Sequence, residues 1–128
     1  EGWQPYLNQE LIASKKLDEA EVQRTAANAA RKVPHVFAVF TAQQLLNGSI
    51  PAGPVANGVQ AGFYNGRSPD LIILQEPFYL FETAATVTTS HGSPFNYDNH
   101  VPVIFMGTGL KAGRYYQRIA VNDITCAP

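Results

Sequence analysis

The sequence predicts an α/β fold, with α+β as the neighbouring possibility: one mixed sheet carrying two or three helices. Three observations predict it. A capped, alanine-rich helix begins at Asp18, and two short runs, Val36–Phe40 and Leu71–Leu74, are apolar at nearly every position. A second helical pattern lies between those runs, so strands and helices alternate along the chain.

The elements follow in order. Trp3–Leu7 reads as a short extended piece, and Asn8–Leu17 as a brief helix around Leu11 and Ile12. Asp18 with Glu21 has the capping-box form, each side chain reaching an otherwise orphaned backbone N–H. Val22, Ala26, Ala29, Ala30 and Val33 then recur at helical spacing as one apolar face. Glu19 and Glu21 suit the positive end of the helix dipole, Arg31 and Lys32 the negative end. Pro34 stops the helix.

His35–Thr41 reads as a strand buried on both faces. Ala42–Leu46 is a helical turn, Ser49–Gly53 a loop, and Pro54–Tyr64 a second helix with Val55, Val59 and Phe63 on one side. Arg67–Asp70 is a turn and Leu71–Leu74 a second buried strand, with Pro77 marking an edge or a bend. Beyond it, Thr83–Ser90 is a polar loop leading into His91–His100. Val101–Met106 and Tyr115–Val121 read as strands around a turn at Gly107–Gly113. The change of character divides the chain into an α/β subdomain, residues 1–82, read as an inserted or cap-like part, and a C-terminal segment, residues 83–128.

Composition excludes several function classes. At 128 residues, 45% hydrophobic and 15% charged, the chain is long enough for one core. With a formal charge of −1 and no basic stripe, no nucleic-acid polymer is expected as partner. No apolar run approaches the ~20 residues of a membrane span. Cys126 is the only cysteine, so neither an internal disulfide nor a thiolate metal cluster can form.

The chemistry gathers at Ser90–His100, which holds two of the three histidines. Without thiolates, zinc takes imidazole and carboxylate donors. Gly92 removes a side chain beside His91, and Pro94 and Pro102 stiffen the stretch. These residues alone leave two readings open for His91: a metal ligand, or a solvated loop histidine. Asp98 and His100 would share a face on an extended strand and pair with each other. His35, just past a helix end, reads as a dipole partner or a surface residue.

The motif His91-Gly92-Ser93-Pro94-Phe95-Asn96-Tyr97-Asp98-Asn99-His100-Val101-Pro102, continuing to Gly107 and followed by Gly109–Gly113 and Val121–Ile124, resembles a C-terminal metal segment of the alkaline phosphatase superfamily. It is most similar to the type I phosphodiesterase and nucleotide pyrophosphatase-like branch, and within it to bacterial phosphate monoesterases. Arg67-Ser68-Pro69-Asp70 resembles that branch's Arg-Ser-Gly-Asp turn.

The resemblance implies a parent enzyme that hydrolyses phosphate esters with two zinc ions and a metal-activated Thr or Ser nucleophile. It assigns one metal-ligand role, to His91, and makes Asp98 and His100 groups that orient a ligand or fix its loop. No residue here matches the nucleophile motif: Thr86, Thr88, Thr89 and Ser93 lie outside its context. The chain therefore reads as a fragment, inactive by itself, whose partners are the phosphate ester and the remainder of the parent polypeptide, in a periplasmic or secreted setting. The alternatives are a non-catalytic cap or interaction module and a sulfatase or phosphomutase relative.

Overall fold

The computed structural model describes residues 4–80, 89 and 91–124. Five α-helical segments, α1 (Gln9–Ser14), α2 (Glu19–Ala30), α3 (Ala42–Leu46), α4 (Pro54–Gly62) and α5 (Asn96–Asn99), accompany two strands, β1 (Val36–Thr41) and β2 (Leu71–Gln75). A 3₁₀ turn closes the described chain at Val121–Ile124. The α/β class with a single sheet stands, and no helix among the described residues is long and apolar enough to cross a membrane.

The strands pair antiparallel, with Val39 opposite Ile73, Phe40 opposite Ile72 and Thr41 opposite Leu71. Because side chains alternate across a strand, the apolar runs divide between two layers. Val39 and Leu71 pack with Ala27 of α2 on one face, while Phe40 packs with Leu45, Ala56 and Val59 of α3 and α4 on the other. A sheet covered on both faces is what continuous apolar runs require. The ladder shifts register between Val36 and Ala38, leaving Phe37 as the extra residue of a bulge.

Local signals set the helix limits, with some corrections. Asn8 caps α1 by accepting the Leu11 N–H at 2.9 Å, but the helix ends at Ser14, since Lys16 turns to a φ of 52°. Asp18 caps α2 by accepting the Ala20 N–H at 3.0 Å. Glu21 pairs with Arg24 instead of completing the box. The reciprocal box belongs to α3, between Thr41 and Gln44. Arg31 lies just beyond α2 and donates to Asn28 Oδ1 and the Val39 carbonyl, both at 2.8 Å. The inward face of α2 is also rotated from the expected one: Ala29 and Val33 are exposed, and Gln23 is buried beside Ala27.

Gln23 is tolerated there because its amide is fully engaged. It donates to Glu19 Oε1 at 3.1 Å and Asp70 Oδ1 at 3.3 Å, and it accepts the Gln43 N–H at 3.1 Å. Asp70 also accepts the Leu7 N–H at 2.7 Å. One buried amide thus ties α2, α3 and the start of β2 together.

The two strands expected at Val101–Met106 and Tyr115–Val121 are not formed. Residues 101–120 are exposed and join no ladder; a turn bond from the Leu110 N–H to the Gly107 carbonyl is their main internal contact. The sheet is therefore antiparallel and two-stranded among the described residues, not mixed. Apolar patterning marks a segment that can pair, and pairing needs an edge within reach. The boundary at residues 82 and 83, the loop residues Thr86 and Thr88, and Cys126 lie outside the described residues.

Candidate functional site

The His91–His100 stretch is fastened to the sheet by rings. Phe95 meets Phe37 edge-on at 5.4 Å between centroids, and Tyr97 stacks on Phe78 at 4.4 Å. The Tyr97 hydroxyl also accepts the Phe78 N–H at 3.2 Å. Phe37 reaches Phe95 from the bulge, a device that re-aims one side chain without ending the strand. Such aromatic contacts each contribute about 0.5–1.5 kcal/mol beyond area burial.

Pro94 rests against α4. A methyl group at Gly58 would lie 3.3 Å from the Cβ of Pro94, so glycine permits the approach. A shallow cleft of about 320 Å³ runs between α4, β2 and this stretch, lined among others by Val59, Leu74, Gly92 and Asn99. At Gly92 the backbone has φ 94°, a conformation that L side chains rarely adopt, so the turn after His91 depends on glycine.

His91 is exposed and makes no side-chain hydrogen bond to a described residue. Asp98 is half-buried in α5, where its carboxylate accepts the backbone N–H of Ser93 and closes the turn that begins at His91. That N–H, with lesser help from the Gly92 N–H and the nearby His91, holds the Asp98 pKa below its ordinary 3.8, against the desolvation that raises it. Ser93 Oγ is buried and meets no partner at hydrogen-bonding geometry, so the backbone donor carries the effect.

His100 is exposed at the end of α5, where its N–H donates to the Asn96 carbonyl at 2.9 Å. It forms no ion pair with Asp98, because residues two apart on a helical turn face nearly opposite ways. Of Thr86, Thr88, Thr89 and Ser93, the last two lie among the described residues.

The donor set does not by itself make a metal site. Among the described residues no three His, Cys, Asp or Glu side chains come together, whereas a catalytic zinc takes about three protein ligands. His91 offers one imidazole with an open approach; any further donors lie elsewhere.

One cluster escaped the sequence reading. His35, with φ 65°, lies 3.0 Å through Nδ1 from Glu76 Oε2 and stacks on Tyr79 with centroids 3.7 Å apart. It is not a dipole partner, because α2 ends at Ala30. Nothing in local sequence links residues 41 positions apart; the β1–β2 register brings them together.

No protein-family model matches the chain. It is 31% identical over 123 residues to alkaline phosphatase PafA of Elizabethkingia meningoseptica, an alignment covering 96% of this chain and 22% of that protein. A protein named calcium-transporting ATPase from Myroides odoratus is 29% identical over 123 residues, and alkaline phosphatase PhoK of a Sphingomonas species 29% over 131, each at the same two coverages. The crystal structure of wild-type PafA superposes with a TM-score of 0.74 over 90% of this chain and 22% of that one, at 31% identity. The chain is thus homologous to one segment of alkaline phosphatase-like proteins, spanning about a fifth of the length of the curated relatives it matches.

Proposed function

We propose that this chain is the His91-bearing part of a zinc-dependent phosphoester hydrolase, in the type I phosphodiesterase and nucleotide pyrophosphatase-like branch. The observation that carries the reading is the exposed imidazole of His91, held on a turn closed by Gly92 and Asp98 in a chain homologous to alkaline phosphatases. His91 gives one neutral nitrogen donor. Asp98 keeps its turn in place, His100 is carried over by the resemblance as a group that orients a ligand, and the zinc would supply Lewis-acid chemistry toward a phosphate ester. The nucleophile and the other donors belong to the remainder of the polypeptide. Residues 1–82 act as an inserted or cap-like α/β subdomain and residues 83–128 as the C-terminal metal-ligand segment of the hydrolase core. The resemblance of the His91–Gly107 motif also supports a periplasmic or secreted setting.

The test is His91→Ala in the full-length product of the gene. Zinc content by mass spectrometry should fall by about one ion per chain, and turnover of a phosphate monoester should fall with it, by more than the roughly 10–100-fold typical of groups one shell out from a metal. Unchanged zinc stoichiometry with intact turnover rejects the reading. The isolated chain should show no phosphatase activity above buffer.

A further inference from the structure

Besides glycines, Lys16, His35 and Phe78 have left-handed backbone among the described residues. Lys16 lies just past the end of α1. The other two meet at one end of the sheet, His35 before β1 and Phe78 after β2, with φ of 65° and 63°. A ring-bearing residue in this conformation is strained, and it persists only where its surroundings hold it there. Contacts on both sides of the pair show what the strain secures.

Phe78 belongs to a turn. The Tyr79 N–H donates to the Glu76 carbonyl at 3.1 Å, closing four residues with Pro77 second and Phe78 third. Proline second and positive φ third are the marks of a type II turn, whose third position ordinarily takes glycine. Glycine would build this turn without strain, but it would offer no ring. The Phe78 ring stacks on Tyr97 at 4.4 Å and 24°. Its N–H, left over by the turn, donates to the Tyr97 hydroxyl at 3.2 Å. Tyr97 directly precedes Asp98, whose carboxylate closes the turn at His91.

The two ends of the same turn grip the sheet. The Glu76 N–H donates to the His35 carbonyl at 2.9 Å, one step past the Val36–Gln75 pair. Glu76 Oε2 lies 3.0 Å from His35 Nδ1, and the Tyr79 hydroxyl 2.8 Å from Nε2. An ionised carboxylate only accepts, so in the neutral ring Nδ1 carries the proton and Nε2 accepts the phenol O–H. With the Tyr79 ring stacked on the imidazole at 3.7 Å, His35 is held from three directions.

We propose that His35 and Phe78 are positioning residues for His91, and that the Glu76–Tyr79 turn is a clamp fastened to the sheet through His35 and to the His91 loop through Phe78. The strain at both is retained because glycine, which would relieve it, can make neither grip. The inference deepens the proposed function and rests on it for what the clamp serves, a metal ligand, but not for the clamp's hold on the His91 turn.

The test uses the full-length gene product with Phe78→Gly, which keeps the turn and drops the ring, and Phe78→Tyr, which keeps a ring. In Phe78→Gly, amides of residues 92–99 should exchange about tenfold faster or more. The zinc dissociation constant, from chelator competition, should rise roughly 10–100-fold. Melting should not fall, since glycine relieves the strained φ; a merely structural residue would lower melting and spare zinc. Phe78→Tyr should restore both readouts, and His35→Gly, which removes the grip on the sheet, should move them as Phe78→Gly does. Unchanged exchange across residues 92–99 in Phe78→Gly overturns the inference. So does lowered melting with exchange quickened evenly over the β1–β2 amides. So does faster exchange at 92–99 with zinc affinity unchanged, if His91→Ala loses its zinc. Faster exchange at 92–99 with zinc unchanged in both Phe78→Gly and His91→Ala supports the clamp and rejects the proposed function.

Discussion

Gly92 and Asp98 decide between them how the chain turns at His91, one through backbone conformation and the other through charge. The carboxylate accepts the Ser93 N–H, and its pKa is lowered in the fold. A group with a depressed pKa stabilises the fold above its ordinary value and loses that contribution as pH falls through the folded value. The turn should therefore be intact above pH 3.8 and should loosen progressively below it. Asp98→Asn should abolish this acid response while leaving the neutral-pH fold in place, as followed by the amide shifts of Ser93 and Gly92 between pH 6 and pH 3. An unchanged acid response in the variant would assign it to another group. Gln23 works at the same scale in the interior. Gln23→Ala leaves the Gln43 N–H and the Asp70 carboxylate short of a partner and should cost about 1–3 kcal/mol in denaturant titration. Asp18→Ala, which removes one exposed cap, should cost about 1 kcal/mol.

Among the elements, those whose signals are local were legible in the sequence. Asp18 announces α2, Pro54 at the start of α4 announces that helix, and the apolar runs announce two strands buried on both faces. Reading failed where a long-range partner decides. Gln23 is polar and buried because Asp70, Glu19 and Gln43 surround it, and a hydrophobicity pattern is blind to that. Residues 101–120 look like strands and are unpaired, because pattern reports the capacity to pair and not the presence of an edge. The position of His91 at a loop was readable from Gly92 and Pro94; its attachment through Phe95 and Tyr97 was not. Phe95→Ala should release that attachment at a cost of about 1–2 kcal/mol, seen as faster exchange across residues 92–99 with the β1–β2 amides unaffected. Slower exchange, or a loss spread evenly over the sheet, would mean that the rings hold the sheet rather than the loop.

As a whole, the chain has a thin interior. Among the described residues the buried apolar side chains are Ile12, Ala27, Val39, Phe40, Leu45, Ala56, Val59 and Leu71, two of them alanines and two valines. A core of that size contributes little beyond the conformational entropy lost on folding. The isolated chain should melt below the roughly 45–65 °C range usual for mesophilic domains, and the full-length protein well above it, measured by circular dichroism at equal concentration. Equal melting temperatures would show that this segment stabilises itself.

The bulge at Phe37 has a consequence for how damage would travel. Its extra residue fixes one alignment of β1 on β2, and only that alignment delivers the Phe37 ring to Phe95. Sliding the strands by a single position would flip every inward side chain outward and strand that ring on the wrong side. A lesion in the sheet would then be felt first not as unfolding but as a wandering imidazole, several residues and one aromatic handshake away.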